Sequence, residues 1–483
     1  MLTAKQHAAE IVRTLRQRGY QAYFAGGCVR DLLLGREPAD YDVATDATPQ
    51  QVMQIFPQTY GVGEQFGVVL VPFKPDTTND TKEHEGDEPA RTGSFEGRVV
   101  PGAMGGSGTQ RYLFLPPSLR KSVEVATFRS DLGYSDGRHP DEVRFTKDPR
   151  EDVERRDFTI NGMMLDPATN EILDFVGGQA DLKAGIIRAI GEPKRRFAED
   201  KLRMLRAVRF AARFDYQIDP ATLAGIQKLA PNIHQVSCER VREELTKMLT
   251  EGRAQRAFQL LDATGLLAEV LPEIAAMKGV EQPPQFHPEG DVFVHTLLLL
   301  KKLPAGCSKT LAWGALLHDV GKPPTFRVAP DRIRFDGHVE VGVKMAAEIC
   351  RRLRFSNDET DQILALVENH MRFADVERMN QSTLKKFLRL PAFDEHLELH
   401  RIDCLSSHGQ LDAYDYARER LRSMPPDAIR PTPLITGQDL IEAGYEPGPR
   451  FKEVLSAVED AQLEGRLASR EAAMVYVRRE FPV

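Results

Sequence analysis

From Lys5 to Arg18 the apolar residues Ile11, Val12 and Leu15 alternate with charges at helical spacing, which predicts an amphipathic helix. Tyr23-Phe24-Ala25 reads as a short apolar strand, Gly26-Gly27 as a sharp turn, and Val29–Leu34 as a helix stopped by Gly35. Tyr41–Ala44 predicts a second strand, and Thr48–Phe56 a helix capped by Thr48 with Pro49 in its first position. Phe66–Phe73 and Ser122–Thr127 alternate as strands. Between them, residues 74–112 show no periodicity: Asp76–Glu88 is acidic and Thr92–Gln110 glycine-rich, the signature of a disordered surface insertion. Ser130–Arg144 is rich in Gly and Asp and predicts an irregular loop, while Glu171–Ile190 reads as two short strands around Gly177-Gly178. From Lys194 onward the pattern turns helical, with segments at Ala198–Phe214, Arg240–Thr250 and Ala254–Thr264 and breaks near Pro283–Gly290, Pro323–Pro330 and Pro425–Gly437. The expected fold is an α/β head with a mixed sheet over residues 1–191, then all-α segments over 192–275, 276–424 and 425–483.

Composition changes this picture little. The hydrophobic share of 41% and charged share of 28% are those of ordinary globular protein, and 483 residues exceed one core. A net charge of −7 does not advertise nucleic-acid binding, so any RNA contact requires a local basic surface. Cys28, Cys238, Cys307, Cys350 and Cys404 lie far apart with no CxxC pair, which argues for a reducing compartment. With no apolar leader core and no run of membrane-spanning length, the expected location is the cytoplasm, with no membrane partner.

The chemistry concentrates in Gly26–Asp42. Gly26 and Gly27 leave amide N–H groups uncovered beside a helix start, a seat for phosphate. Asp40 and Asp42, two apart on a strand, project to one face, where two carboxylates can hold Mg²⁺ ions roughly 3.5–4 Å apart for in-line phosphoryl transfer. Glu124 alternates with Val123 and Val125 and is either a third carboxylate for this site or a solvated edge residue. With Arg30 and Asp31 between them, the turn and the paired acids resemble the GG…RD…DxD signature of the class II tRNA nucleotidyltransferase and bacterial poly(A) polymerase family. That resemblance implies a polymerase-beta-like nucleotidyltransferase head in which Gly26, Gly27, Arg30 and Asp31 bind the nucleotide, a helical neck for base selection and RNA binding, an HD domain and a helical tail. It also implies that Ser130–Arg144 is the flexible loop of CCA-adding and A-adding members.

Further motifs fit. Arg155-Arg156-Asp157-Phe158-Thr159-Ile160-Asn161 is close to the family's RRDFTxN: Arg155 offers fixed donors to triphosphate oxygens, while Asp157 and Asn161 can bond ribose hydroxyls. Glu199-Asp200-Lys201-Leu202-Arg203 opens a helix, and Asp200 and Arg203 are either a surface ion pair or a reader of bases. Cytosine and adenine both present an amino donor beside a ring-nitrogen acceptor, which one carboxylate and one guanidinium can match. Uracil and guanine present the reverse and would leave charged groups unpaired at a cost of roughly 1–3 kcal/mol. This stretch resembles the family's base-selecting motif, with Glu199 in support. Arg195, Arg196, Arg206 and Arg209 crowd the same region as candidates for a local RNA-binding surface. Ser237–Glu244 matches the family's helix-bracing motif and is assigned a structural role.

A second candidate site follows. His295, His318-Asp319 and Asp403, with His338 and His370 available, have the H…HD…D ordering of an HD domain and suit a divalent metal. The HD architecture elsewhere supports phosphohydrolase chemistry; here the site either turns over substrate or only helps hold the tRNA. The reading as a whole is a template-independent nucleotidyltransferase that uses Mg²⁺, CTP and ATP to add CCA, or its terminal A, to tRNA 3′ ends. The alternatives are a poly(A) polymerase with the same head, and an RNA-binding module carrying an HD phosphohydrolase.

Overall fold

The computed structural model describes residues 3–61, 67–72, 122–133, 142–283, 290–330 and 332–482. The insertion expected at 74–112, the ends of the Phe66–Phe73 strand and the middle of the Ser130–Arg144 loop lie outside these. The chain divides into two compact units, Met1–Lys247 with Leu260–Val270, and Met248–Gln259 with Leu271–Val483.

The first unit opens with helix α1 (Ala4–Gln17), capped by Thr3 in a capping box with Gln6 and burying Ala8, Ile11, Val12 and Leu15. Strand β1 (Ala22–Ala25) runs into helix α2 (Gly27–Leu33), then strand β2 (Asp42–Thr45). Helix α3 (Pro49–Ile55) carries the expected Thr48 cap, and β3 (Tyr60–Gly61), β4 (Val68–Pro72) and β5 (Ser122–Thr127) extend the sheet. Two more strands, β6 (Arg129–Leu132) and β7 (Glu142–Phe145), pair with each other, and helix α4 (Pro149–Glu154) follows. Strands β8 (Met163–Leu165) and β9 (Ile172–Asp174) complete a seven-stranded sheet ordered β3-β4-β5-β2-β1-β8-β9. Only β2 and β5 are parallel within it, so the sheet is mixed, as expected. Its inward positions, among them Phe24, Val43 and Val125, are fully buried.

The structure corrects three local expectations. The loop read as irregular is a strand at both ends, because Arg129 to Leu132 find cross-strand partners in Phe145 to Glu142. Helix α5 (Gly178–Ala184) stands where a bare turn was expected, before β10 (Ile186–Ile187). The Asp174 carboxylate starts it by accepting the N–H groups of Gly178 and Gln179 at 2.8 Å each. The single helix Ala198–Phe214 is two, α6 (Pro193–Glu199) and α7 (Leu202–Phe214). Asp200 between them is extended, and its carboxylate takes the N–H of Leu202, a local competition that periodicity does not reveal.

Strand β11 (Gln217–Ile218) pairs in parallel with β10, and helices α8 (Pro220–Leu229), α9 (Cys238–Thr250), α10 (Ala254–Ala263), α11 (Leu266–Val270) and α12 (Pro272–Ala275) follow. In the second unit, α13 (Val292–Lys302), α14 (Lys309–Leu317), α15 (Lys322–Thr325), α16 (His338–Arg352), α17 (Asn357–Asn369), α18 (Gln381–Leu388) and α19 (Phe393–Ser406) build the HD region. Gly321 is required there: a Cβ would lie 2.1 Å from the His338 carbonyl and 2.6 Å from the Gly342 nitrogen, so only glycine lets this turn approach α16. Toward the C-terminus, Ile435, Leu440, Tyr445, Val454, Val458, Ala473 and Val477 form a separate apolar cluster. Among the described residues no helix is long and apolar enough to cross a membrane.

Candidate active site and a second candidate metal centre

Asp40 sits two residues ahead of β2 and Asp42 is its first residue; both are half-buried and flank Tyr41, which points into the core. Parallel pairing sets Asp42 directly opposite Glu124, so these two side chains share one face. Glu124 is not on an edge: β5 has β2 on one side and β4 on the other, where Leu70 is its partner, and the edge reading falls. Burial pushes the Asp40 carboxyl up, the charge of Asp31 pushes the same way, and Arg30 opposes. Asp42 and Glu124 thus stand as hard-oxygen donors on neighbouring strands, with Asp40 two residues ahead, a donor chemistry that suits a divalent cation. The nearby Cys28 thiol is pushed up to about 12 by burial and by Asp42, and is inert packing.

The glycine turn has a strict requirement. Gly26 has φ +76°, and a Cβ there would meet Nη1 of Arg156 at 2.8 Å. Arg30, expected to face the nucleotide, is 5% exposed. It donates to Asn161 Oδ1 at 2.6 Å and to Asp31 at 2.9 Å, and its guanidinium lies 4.7 Å from the centre of the Phe214 ring. It is a strut, and Asp31 is its counter-charge.

Asp152 escaped the sequence reading. It is 1% exposed and grips both motif arginines, taking Arg155 on Oδ1 at 2.7 Å and Arg156 on Oδ2 at 2.9 Å. Burial would raise its carboxyl, but the two guanidinium groups hold it at about 2. Its spacing of three and four from the two arginines was the available signal. Asp157 accepts from Arg206 at 2.9 and 2.6 Å and from Asn161 Nδ2 at 3.1 Å; against burial these partners hold it at about 2. A continuous chain therefore runs Asp31–Arg30–Asn161–Asp157–Arg206.

Around the helix break, Arg203 donates to Glu199 Oε2 at 2.9 Å and to the Arg155 carbonyl at 3.1 Å. Glu199 also takes Arg196 at 2.8 Å. Asp200 does not pair with Arg203 through its side chain. Its carboxylate lies on Arg240 of α9, at 3.3 and 2.9 Å. The expected basic surface is corrected as well. Arg209 is 2% exposed on Glu244 at 2.7 Å, Arg206 is committed to Asp157, and Arg196 also donates to the Ile190 carbonyl at 2.7 Å. Of these four arginines Arg195 is the exposed one, at 81%, with its Nε 3.4 Å from Glu199 Oε1.

In the second unit the fold brings all six HD residues together. His295 comes from α13, His318 and Asp319 from the end of α14, His338 from the start of α16, His370 from the end of α17 and Asp403 from α19. Nε2 of His318, His338 and His370 lies 3.1, 4.0 and 3.8 Å from Asp319, and Nε2 of His295 lies 3.0 Å from Asp403. Nδ1 of His318, His338 and His370 bonds backbone carbonyls of Ala315, Phe335 and Val367 at 2.8, 3.0 and 2.7 Å. Nδ1 is thereby the protonated nitrogen, and Nε2 turns its lone pair inward. Burial pushes His370 down to about 4 and lowers His338, keeping both neutral as metal ligands require. His295, His318 and Asp319, and separately Asp319, His338 and His370, offer ligand atoms within 4.8 Å of one another, so the set fits a divalent metal. Lys322, not singled out in the sequence, lies 2.7 Å from Asp319 Oδ2 and donates to Gln282 at 2.7 Å.

A family profile described as "Poly A polymerase head domain" matches residues 22–91 and 109–188. One described as "Probable RNA and SrmB- binding site of polymerase A" matches 215–278, and "HD domain" matches 293–403. The CCA-adding enzyme of Geobacillus stearothermophilus is 30% identical over 467 residues, covering 96% of this chain and 94% of the relative. That of Levilactobacillus brevis is 29% identical over 472 residues, covering 97% and 96%. The crystal structure of the Bacillus stearothermophilus CCA-adding enzyme in complex with CTP superposes with a TM-score of 0.69 at 26% identity, covering 99% of this chain and 98% of that one. The Thermotoga maritima CCA-adding enzyme complexed with tRNA_CCA shares the fold at a TM-score of 0.53 and 17% identity, covering 98% and 94%. With matched identity running nearly end to end, this chain belongs to the family of CCA-adding enzymes.

Proposed function

We propose that this chain adds CCA, or its terminal A, to the 3′ end of tRNA from CTP and ATP without a nucleic-acid template. The observation that carries the reading is the pairing of Asp42 with Glu124 on adjacent strands, two residues after Asp40, in a chain of this family. We read the divalent ions as Mg²⁺, held by Asp40 and Asp42 with Glu124 as third ligand; when bound they supply activation of the RNA 3′-hydroxyl and stabilisation of the leaving pyrophosphate. Arg155, pre-set by Asp152, contacts the triphosphate. Asp157 and Asn161, each fixed in one orientation by Arg206 and Arg30, contact the sugar. Asp200 and Arg203, supported by Glu199, choose the base, and the exposed Arg195 contacts the RNA backbone. All five cysteines are free thiols, which supports a reducing, cytoplasmic setting.

The test is incorporation of each NTP separately into tRNA lacking its terminus, tRNA ending in CC, and unstructured RNA. An enzyme that adds the whole CCA should use CTP on the first and ATP on the second, one that adds only the terminal A should use ATP on the second alone, and neither should extend the third. Long A-tails on any RNA, with no use of CTP, would leave the poly(A) polymerase reading in its place. A second reading rests on the histidines of the HD region, whose Nε2 atoms surround Asp319: a divalent metal there supports phosphohydrolase activity on phosphodiesters. Hydrolysis of a 2′,3′-cyclic phosphodiester that survives Asp42→Ala but not Asp319→Asn would separate the two centres, and no hydrolysis with any divalent ion would remove this reading.

A further inference from the structure

The six residues of the HD set are unequally covered. The side chains of His295, His318, Asp319 and His370 are at most 3% exposed, whereas His338 keeps 13% and Asp403 24%, so a ligand reaches the set past these two. A short hairpin, β12 (Arg327–Val328) and β13 (Ile333–Arg334), borders the His338 side. Just beyond β13, the Phe335 carbonyl meets His338 Nδ1 at 3.0 Å. The Phe335 ring centre lies 5.5 Å from Nζ of Lys322, the ammonium that reaches Asp319 at 2.7 Å. The Phe326 ring packs on that of Phe335, with centroids 6.0 Å apart, and Phe326 is 39% exposed. A chain of contacts therefore leads from the central carboxylate to an aromatic ring open to solvent.

An isolated exposed apolar side chain needs no explanation. Phe326 is not isolated: Val328, two residues on, is 71% exposed. Between them, Arg327 stands directly opposite Arg334, and like charges so placed weaken a ladder. Asp336 offsets Arg327 at 2.6 Å, but both side chains are more than 60% exposed, and such a pair is worth little in water. Aromatic and basic residues interleaved on one exposed hairpin suit a ligand with a flat π-face and a negative charge. A nucleotide carries both, whereas an aliphatic phosphate ester carries only the charge. We propose that this hairpin is the nucleoside-binding side of the HD centre. Phe326 stacks on a nucleobase while the attached phosphodiester lies at the histidines, so the substrate class is a nucleotide phosphodiester. Turnover of that substrate rests on the phosphohydrolase reading of the HD region; binding of the base does not.

The sole tryptophan, Trp313, is fully buried, so Phe326→Trp installs a local reporter that keeps a stacking face. Full-length Phe326→Trp is titrated with adenosine 2′,3′-cyclic phosphate in EDTA, which prevents turnover, and the titration of the unmodified chain is subtracted. Fluorescence should be quenched saturably, and glycerol 1,2-cyclic phosphate should leave it unchanged. With Mn²⁺ present, Phe326→Ala should lower kcat/KM for the adenosine ester by about tenfold or more, mainly through KM, the worth of one stacked base. The glycerol ester should be hydrolysed as before, and Phe326→Trp should retain activity on both. No quenching, or an equal loss on both esters in Phe326→Ala, overturns the inference and leaves Phe326 as packing for Phe335. Saturable quenching without hydrolysis of either ester by any divalent ion upholds the base site and removes the phosphohydrolase reading, so the two failures are told apart.

Discussion

Arg206 separates two accounts of the helix α7 arginines. By charge alone it belongs to an RNA-binding surface; in the fold it donates through Nε and Nη2 to Asp157 at 2.9 and 2.6 Å. Consider Arg206→Gln. Asp157 is held at about 2 against an ordinary value of 3.8, and its side chain is 11% exposed, so screening by solvent is minor. At about 1.4 kcal/mol per tenfold change in proton affinity, that depression is worth on the order of 2–3 kcal/mol at neutral pH. The charge of Arg206 is the largest of the lowering causes, followed by the Asn161 hydrogen bond, with Arg203 also contributing. The substitution should therefore cost about 2 kcal/mol of stability in urea, seen as a lower midpoint at unchanged slope.

The sign with pH follows from the direction of the shift. A carboxyl depressed in the folded state stabilises fully above its unfolded value, near 4, and loses that contribution as pH falls through about 2. In Arg206→Gln the acid-dependent part of the stability between those values should shrink. Binding of tRNA measured against salt gives the opposing test. A phosphate-binding arginine would, on removal, reduce the slope of log K against log[salt] by about 1 and leave stability alone. An unchanged urea midpoint with a shallower salt slope would refute the clamp and return Arg206 to the RNA surface.

Three other outcomes follow from the same geometry. Gly26→Ala forces a Cβ to within 2.8 Å of Arg156 Nη1 at φ +76°, and should cost roughly 1–3 kcal/mol in urea unfolding while sharply reducing nucleotide incorporation. Gly321→Ala drives a Cβ into the His338 carbonyl; it should destabilise the second unit by roughly 1–3 kcal/mol or more and lower bound divalent metal measured by elemental analysis. Asp319→Asn removes the carboxylate around which His318, His338 and His370 gather, so metal content after dialysis against Mn²⁺ or Zn²⁺ should drop at least about tenfold relative to the unmodified chain.

How much of this was legible in the sequence depended on the range over which each feature is decided. The strand period sets which residues share a face whatever surrounds them, but β2 begins at Asp42, so it does not reach Asp40 two residues before. The face of Glu124 was readable from that period, but its place beside Asp42 was not, since strand order is decided by the whole sheet. The HD residues announced themselves by type and order; that His338 and His370 close on Asp319 needed the packing of α16 and α17, which Gly321 permits. The break at Asp200 was hidden because one side chain competing for a backbone N–H leaves the apolar stripe on either side intact.

The arginines were misread for a deeper reason, which bears on where RNA can bind. Arg203, Arg206 and Arg209 recur every three residues, and three residues advance a helix by about 300°, so each lies about 60° behind the last. Three such residues spread over about 120° of the helix, so those at the two ends meet different neighbouring elements. What decides which of them turn inward is the location of acids far away in the chain: Glu244 lies 35 positions from Arg209, and Asp157 lies 49 from Arg206. A sequence shows the charge but not the partner, so a basic helix in an acidic protein looks like a docking surface when much of its charge is already neutralised within the fold. The net charge of −7 says only that any RNA contact must come from a local basic surface. Arg195, at 81% exposure, marks where such a face begins, and the search for the tRNA backbone should start from it rather than from the arginines of α7.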